Sequence, residues 1–111
     1  MGRNQKANSS YFEIVNYKIV IEPRALLDIQ DAIDYYNQKQ IGLGVHFYNT
    51  LEEHIEVLKT NPLFQIRYKD YHGYPIKKFP FIIFYFVDEE IKTVYIISIF
   101  NTFLNPNKYP K

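Results

Sequence analysis

The hydrophobic residues of this chain change their period at Asn61-Pro62, and that change constrains the fold more than any other feature. Before it, apolar side chains recur every three or four residues, the spacing that keeps them on one face of an α-helix. After it, Phe64, Ile66 and Tyr68 alternate with polar residues, which is the spacing of a half-buried β-strand. The chain is therefore predicted to place helices first and strands second, as an α+β domain does.

Two amphipathic helices are predicted in the first half, behind one short strand. Residues 17–22 are rich in aromatic and β-branched side chains, which favour a strand. A helix is predicted from Pro23 to about residue 40, because proline suits the first helical position and Gly42 suits a C-terminal cap. A second helix is predicted over 44–60. The short connection makes the two helices an antiparallel hairpin.

Four strands are predicted in the second half. They are assigned to residues 64–69, 74–79, 81–87 and 93–100, with turns at 70–73 and 88–90. The third of these strands is apolar on both faces, which favours a central position in the sheet. The order β-α-α-β-β-β-β, with short turns late in the chain, predicts a helical hairpin packed on one face of a twisted antiparallel sheet.

Length and composition limit the class of protein. The 111 residues predict a single domain over 17–111, preceded by a polar and disordered extension over 1–16. The chain has no cysteine, which excludes disulfides and thiolate chemistry and fits a reducing cytoplasm. The longest apolar run, 81–87, is much shorter than the roughly 20 residues of a membrane helix, so a soluble chain is predicted.

The sequence contains no pattern that predicts a metal or a cofactor. His46 and His54 are eight residues apart, too far for the i, i+4 pair that zinc sites use on helices. Glu52 and Glu56 share a helix face, but the sequence supplies no third ligand beside them. The four glycines fit no phosphate-binding loop.

The two halves differ in charge. Residues 23–59 have a net charge of −3 and residues 63–80 a net charge of +3. Four basic residues, which tyrosines separate, are the predicted binding residues: Arg67, Lys69, Lys77 and Lys78. Such a surface contacts phosphates by charge and bases by stacking, or it accepts an acidic protein segment. The alternative is a solvated strand whose lysines protect a sheet edge from aggregation.

Four segments, in their order and spacing, resemble the RelE/ParE family of bacterial toxins, the toxin halves of type II toxin–antitoxin pairs. They are Pro23-Arg24-Ala25 with Asp28-Ile29 and Tyr35-Tyr36; Asn61-Pro62; Lys78-Phe79-Pro80-Phe81 with Tyr85-Phe86-Val87-Asp88; and Ile97-Ser98-Ile99-Phe100-Asn101 with Asn105-Pro106. The resemblance covers residues 17–111. It implies a helical hairpin on a twisted antiparallel sheet, and an antitoxin that wraps the toxin with a helix or a strand.

The chain departs from the ribosome-dependent nucleases of that family. The resemblance implies basic residues on the sheet and in the tail, where they stabilise the phosphate charge of the transition state. This chain has the uncharged residues Ile82, Thr102 and Leu104 at those positions. The departure predicts a binding protein and not an enzyme.

The remaining candidates for chemistry do not form a complete catalytic set. Lys77 and Lys78 are possible cations, and Tyr109 is the one residue that corresponds to the tail tyrosine of the nucleases. His72 lies in a predicted turn, and it is expected at the surface. Tyr85 and Tyr95 are expected to pack in the core or across strands.

Three hypotheses follow from the residues and the resemblance together. In the first, the chain is a ParE-like toxin that inhibits growth by binding DNA gyrase and is neutralised by a cognate antitoxin. In the second, it is a RelE-like ribosome-dependent mRNA endoribonuclease that uses Arg67, Lys77, Lys78 and Tyr109 in a shifted arrangement. In the third, it is a degenerate toxin that only binds its antitoxin.

Overall fold

A computed structural model of the chain describes residues 16–63, 70–104 and 109–110, together with the backbone of Ile66–Tyr68. The elements are β1 (Lys18–Ile21), α1 (Pro23–Lys39), α2 (Leu43–Thr60), β2 (Ile66–Tyr68), β3 (Tyr71–Pro75), β4 (Phe81–Asp88) and β5 (Thr93–Asn101). The predicted α+β class and the order β-α-α-β-β-β-β are confirmed. The N-terminal extension predicted to be disordered lies outside the described residues, apart from Asn16.

The strands form one five-stranded sheet in the order β1-β5-β4-β3-β2. The last four strands are antiparallel neighbours in chain order, as predicted. β1 differs, because it pairs with β5 in parallel, from Lys18 opposite Thr93 to Ile21 opposite Ile96. A parallel pair needs a long connection between its strands, and the helical hairpin and the three intervening strands supply it.

The turn between the helices depends on two glycines and one asparagine. Gly42 has a φ of 92°, and it is the N-cap of α2 instead of the predicted C-terminal cap of α1, which is Gln40. A methyl group on Gly44 would lie 2.6 Å from Asn37 Oδ1 and 2.7 Å from the Ile33 carbonyl oxygen. The Gly44 N–H donates to Asn37 Oδ1 at 2.9 Å. Only a residue without a side chain allows this contact between the helices.

The core lies between the helical hairpin and one face of the sheet. Its buried members are Ala25, Ile29, Ala32, Phe47, Leu51 and Leu58 from the helices, Ile76 and Phe79 from the segment between β3 and β4, and Phe81, Ile83, Tyr85, Val94, Ile96 and Ile99 from β4 and β5. Alternate residues of β4 point to this core, as the period of a strand requires. Phe47 is 0% exposed, so truncating it to alanine is expected to cost about 3–5 kcal/mol.

β3 begins earlier than the sequence predicts. A turn was predicted at 70–73, but Tyr71–Pro75 is a strand that pairs His72 with Tyr85 and Gly73 with Phe84 in β4. His72 and Gly73 are both buried in this pairing. The packing against β4 outweighs the local turn preference of the glycine, as tertiary context often does in strands.

β3 also ends earlier than predicted, and the following residues form a turn. The strand predicted over 74–79 stops at Pro75, and residues 77–80 lie in a turn before β4. The Ile76 N–H donates to the Phe81 carbonyl at 2.9 Å and closes the hairpin around this turn. We call residues 77–80 the basic loop.

Candidate functional site: the basic loop

The basic loop carries the two predicted binding residues whose side chains are described. Lys77 and Lys78 are both exposed and adjacent. Only the backbone of Arg67 is described, in β2, and Lys69 lies outside the described residues. The structure therefore brings Lys77 and Lys78 together in a turn, and not along a strand face as the sequence predicted.

His54 in α2 anchors the start of the basic loop. Its side chain is 7% exposed, and its Nδ1 lies 2.7 Å from the Thr50 carbonyl oxygen. Its Nε2 accepts the Lys77 N–H at 3.1 Å. These two partners define a neutral imidazole that carries its proton on Nδ1, because a carbonyl oxygen accepts and a backbone N–H donates. The imidazole also lies 4.9 Å from the ring of Tyr74, centroid to centroid.

The end of the basic loop is anchored from two other directions. Phe79 is 8% exposed, and its ring centroid lies 5.1 Å from that of Tyr36 and 5.2 Å from that of Phe47. The Pro80 carbonyl accepts the Thr102 N–H at 2.8 Å and the Thr102 hydroxyl at 3.1 Å. The loop thus presents its lysines from a backbone held by α2, the core and the segment after β5.

The backbone of Lys78 lies in the left-handed region, with a φ of 73°. For a residue with a side chain this conformation costs roughly 1–2 kcal/mol, and it persists only where the surroundings impose it. Here the anchored neighbours Lys77 and Phe79 impose it. Backbone strain of this kind is more frequent at functional sites than elsewhere, which supports the loop as a binding element.

The role of His54 was not predicted from the sequence, although a signal for its burial was present. His54 falls at helical spacing with Phe47, Leu51 and Leu58, which are all buried on the core face of α2. A histidine on that face is expected to be buried, and its ring nitrogens are then expected to form hydrogen bonds. Which backbone groups pair with it depends on the turn after β3, and the sequence does not predict that turn.

His72 is not a surface residue, contrary to the prediction. It is 7% exposed, and its ring stacks on that of Tyr85 with centroids 5.3 Å apart and planes 13° apart. The Tyr85 hydroxyl donates to the Pro62 carbonyl at 2.6 Å, and burial raises the pKa of this phenol above its usual value. Tyr85 is therefore a core residue, as predicted. Because His72 stacks on Tyr85, His72 also lies in the core and does not contribute to the basic loop.

Tyr109 covers the face of the sheet opposite the helices. Its ring centroid lies 4.8 Å from that of Phe84 and 4.9 Å from that of Phe100. The Tyr71 hydroxyl donates to the Pro110 carbonyl at 2.7 Å and fixes the tail beside this ring. Phe84 and Phe100 are 0% and 3% exposed, so they are buried although they lie on the sheet face opposite α1 and α2. Tyr109 thus has a packing role whether or not it has a chemical one.

Ile82, Thr102 and Leu104, which are uncharged where the resemblance to the nucleases implies basic residues, lie around the basic loop and the end of β5. Ile82 is half-buried in β4, between Pro75 and Phe100 of the neighbouring strands. Thr102 binds Pro80 as described, and Leu104 is 48% exposed. None of them supplies a charge next to Lys77 or Lys78.

Neither a metal site nor a membrane span is found in the described part of the chain. No three histidine or acidic side chains there are grouped closely enough to hold a metal ion. Neither α1 nor α2 has the length and apolarity required to cross a bilayer.

Solved structures show where this fold has been found. A chain of the chromosomal ParDE toxin–antitoxin system from P. aeruginosa is similar with a TM-score of 0.68 and 13% identity, covering 77% of this chain and 95% of that one. The isolated RelE toxin of E. coli is similar with a TM-score of 0.55 and 18% identity, covering 82% and 89%. A chain of the intact E. coli RelBE complex gives 0.53 and 20%, covering 77% and 95%. The fold is thus one found in toxin–antitoxin complexes.

The sequence itself identifies the family. The model of the ParE toxin of the type II toxin–antitoxin system parDE matches residues 19–102. The chain belongs to this ParE toxin family, and the predicted RelE/ParE membership is confirmed. None of the curated proteins matches the chain in sequence.

Proposed function

We propose that the chain is a toxin that arrests bacterial growth in the cytoplasm by binding a protein target, DNA gyrase, and that a cognate antitoxin neutralises it. Membership of the ParE toxin family supports the toxin role. Two of the structural relatives named above come from toxin–antitoxin assemblies, the ParDE system of P. aeruginosa and the intact RelBE complex of E. coli, which supports an antitoxin partner. The observation that carries the binding role is the rigid basic loop, with Lys77 held by His54.

A binding role fits the chemistry of the loop better than a catalytic one. Lys77 and Lys78 supply charge, but general acid–base catalysis needs a group within hydrogen-bond reach that titrates near neutrality. His54 is buried and uses both ring nitrogens for structural bonds. His72 is stacked in the core. Two lysines without such a group are suited to hold an acidic surface of a target.

The helical side offers an apolar surface for the antitoxin. A groove of about 250 Å³ lies between β1 and α2, and its lining includes Ile19, Ile21, Tyr48 and Ile55. Tyr48 is 42% exposed, and the nearby Val45 is 60% exposed. Apolar groups left in water along a groove are typical of a protein interaction site.

The proposal is tested by expressing the chain without its neighbouring genes. We expect growth arrest with induction of the DNA-damage response and intact mRNA. Purified protein should inhibit supercoiling by gyrase, and the double variant Lys77→Ala/Lys78→Ala should need at least about tenfold more protein for the same inhibition. Lys92→Ala is the matched control, because Lys92 is also an exposed lysine with a positive φ in a turn, but at the other end of β4.

The nuclease remains a second candidate, because the isolated RelE toxin of E. coli shares the fold. Cleavage of ribosome-bound mRNA by the purified chain, abolished by replacing Lys77 or Lys78, would support it and contradict the gyrase proposal. Absence of any growth arrest would leave the degenerate toxin as the better description. The neighbouring open reading frame provides a further test, since a short acidic protein with a DNA-binding region is expected there.

A further inference from the structure

The turn that follows β5 holds an aromatic side chain in solvent. Phe103 is 84% exposed, more than any other aromatic residue in the described part of the chain. Single exposed apolar residues are common on protein surfaces, so exposure alone does not mark a binding residue. Phe103 differs from such residues in how its backbone is held and in what lies beside it. We call residues 101–104 the post-β5 turn.

Asn101 fixes the backbone of the post-β5 turn. It ends the ladder between β4 and β5, opposite Phe81. Its side-chain oxygen accepts the Phe103 N–H at 2.9 Å, and its carbonyl accepts the Leu104 N–H at 3.0 Å. The backbone of Phe103 is therefore ordered before any partner binds. Because a phenylalanine side chain has only two rotatable angles, little conformational entropy is lost when it is buried against a partner.

The post-β5 turn is tied to the basic loop. The N–H and the hydroxyl of Thr102 both donate to the carbonyl of Pro80, at 2.8 Å and 3.1 Å, and Pro80 is the last residue of the basic loop. Covalent geometry then limits the distance between the Cα atoms of Lys78 and Phe103 to about 18 Å at most. A standard protein interface covers about 800 Å² on each partner, so one partner reaches both residues.

The lysines of the basic loop supply the charge of this combined surface. Lys77 and Lys78 are both exposed, and neither takes part in an ion pair between described residues. Two cations beside an exposed phenyl ring are complementary to an apolar pocket with acidic side chains at its rim. Binding energy in protein interfaces is concentrated in such central apolar anchors, while charges at the rim guide association.

A protein matches this surface better than a nucleic acid does. Leu104 follows Phe103 and is 48% exposed, so the post-β5 turn offers an aliphatic side chain beside the aromatic one. Surfaces that bind single-stranded nucleic acid use aromatic side chains on which successive bases stack, and leucine has no such ring. A phenylalanine and a leucine together suit a pocket lined by apolar side chains.

We infer that Phe103 is the apolar anchor of the target-binding surface: it enters an apolar pocket of the target protein while Lys77 and Lys78 contact acidic side chains at the rim of that pocket. The identity of the target rests on the proposed function. The surface consists of two turns, the basic loop and the post-β5 turn, which Thr102 joins.

The first test compares growth arrest and inhibition of gyrase by two alanine variants. Phe103→Ala should need at least about tenfold more protein than the wild type for the same inhibition, as the loss of an anchor residue does. Ile91→Ala is the matched control and should act as the wild type does. Ile91 is also exposed in a turn, and its N–H is bonded to the side chain of Asp88, but it lies at the other end of β4. Phe103→Leu keeps an apolar side chain and should retain more activity than Phe103→Ala.

The outcomes separate this inference from the proposed function. If Phe103→Ala arrests growth and inhibits gyrase at wild-type concentrations, the inference is wrong while the proposed function stands. If the wild type arrests growth without inhibiting gyrase, and Phe103→Ala loses the arrest, gyrase is the wrong target while the anchor role stands. If the wild type causes no arrest, both fail.

The second test measures the binding of other partners. Phe103→Ala should keep the urea denaturation midpoint of the wild type, because the side chain is exposed, and it should bind the protein encoded by the neighbouring open reading frame within about threefold of the wild-type affinity. A tenfold loss of that affinity would place Phe103 in the antitoxin surface and overturn the inference. Binding of a random-sequence single-stranded RNA by the wild type, lost in Phe103→Ala, would identify a nucleic acid as the occupant and would also overturn it.

Discussion

The imidazole of His54 accepts the backbone N–H of Lys77 at 3.1 Å, and this bond joins the middle of α2 to the basic loop. Replacing His54 with leucine fills the same space with an apolar side chain, but it leaves the Lys77 N–H without its acceptor. We expect the free energy of unfolding to fall by about 1–3 kcal/mol, the cost of an unpaired buried polar group. Urea denaturation measures this loss, and amide exchange at Lys77 should become faster.

Two further variants separate the hydrogen bond from general effects on the helix. His54→Gln provides an amide oxygen near the position of Nε2, so slow exchange at Lys77 should be partly restored. His46→Gln changes an exposed histidine of the same helix, and it should alter stability by no more than about 0.5 kcal/mol. Unchanged exchange at Lys77 in the leucine variant would show that other contacts hold the loop.

Lys78 combines an exposed cation with a strained backbone, and glycine separates the two properties. Lys78→Gly removes the strain of a φ of 73°, so it should raise the free energy of unfolding by up to about 1 kcal/mol while it weakens target binding. Lys92→Gly should give a smaller gain without any loss of binding, because the φ of Lys92 is 50° but its ammonium lies 3.7 Å from Glu89 Oε1 and 5.4 Å from the centroid of the Tyr17 ring. A loss of stability in both variants would mean that the two lysine side chains make stabilising contacts that exceed the strain.

The parts of the fold that were predicted correctly depend on local signals. The period of the apolar residues, Pro23 at the start of α1 and the short connection between the helices determine the hairpin without reference to distant residues. The apolar strand β4 was placed in the sheet because no other packing buries both of its faces. These features identify the α+β class and the family.

The predictions that failed concern residues whose environment depends on pairing between strands. His72 and Gly73 look like turn residues in sequence, but β4 offers them Tyr85 and Phe84 as partners, so they join β3. This shift moves Lys77 and Lys78 from a strand into a turn, where Pro75 ends the strand before them. The parallel pairing of β1 likewise depends on β5, whose paired residues lie 75 positions further along the chain, and a local pattern does not encode it.

The buried phenol of Tyr85 is expected to make the folded protein less stable at alkaline pH. Burial, and to a lesser degree the neighbouring Tyr74, raises the pKa of Tyr85 in the folded protein above its unfolded value. The folded state therefore retains a proton that the unfolded state loses, and stability should decline as the pH rises above about 10. Tyr85→Phe removes this dependence, although losing the bond to the Pro62 carbonyl should cost about 1–3 kcal/mol at neutral pH.

Urea denaturation of both proteins at several pH values tests this expectation. The difference in stability between the wild type and Tyr85→Phe should shrink as the pH rises from about 9 to about 11. Using the difference removes the contribution of the other titrating groups, because both proteins share them. A constant difference across this range would show that Tyr85 ionises equally in the folded and unfolded states.

Gly44 sets the distance between the two helices, and alanine at this position tests it. The added methyl group would lie 2.6 Å from Asn37 Oδ1 and 2.7 Å from the backbone oxygen of Ile33, so the helices would have to separate. We expect Gly44→Ala to lower the free energy of unfolding by about 1–3 kcal/mol, as overpacking does. Asn37→Ala together with Gly44→Ala should remove only part of this loss, because the clash with the Ile33 backbone remains.

Tyr109 distinguishes the packing role of the tail from a catalytic one. Tyr109→Phe keeps the ring that covers Phe84 and Phe100, so stability should change by no more than about 1 kcal/mol and growth arrest should persist. Tyr109→Ala uncovers these two rings and should cost about 2 kcal/mol or more. A nuclease that used the tyrosine hydroxyl as a proton carrier would instead lose about 10²-fold or more in mRNA cleavage on the change to phenylalanine. Measuring growth arrest and mRNA cleavage for the phenylalanine variant therefore separates the two roles, because the ring that packs on Phe84 and Phe100 is kept while a catalytic role requires the hydroxyl.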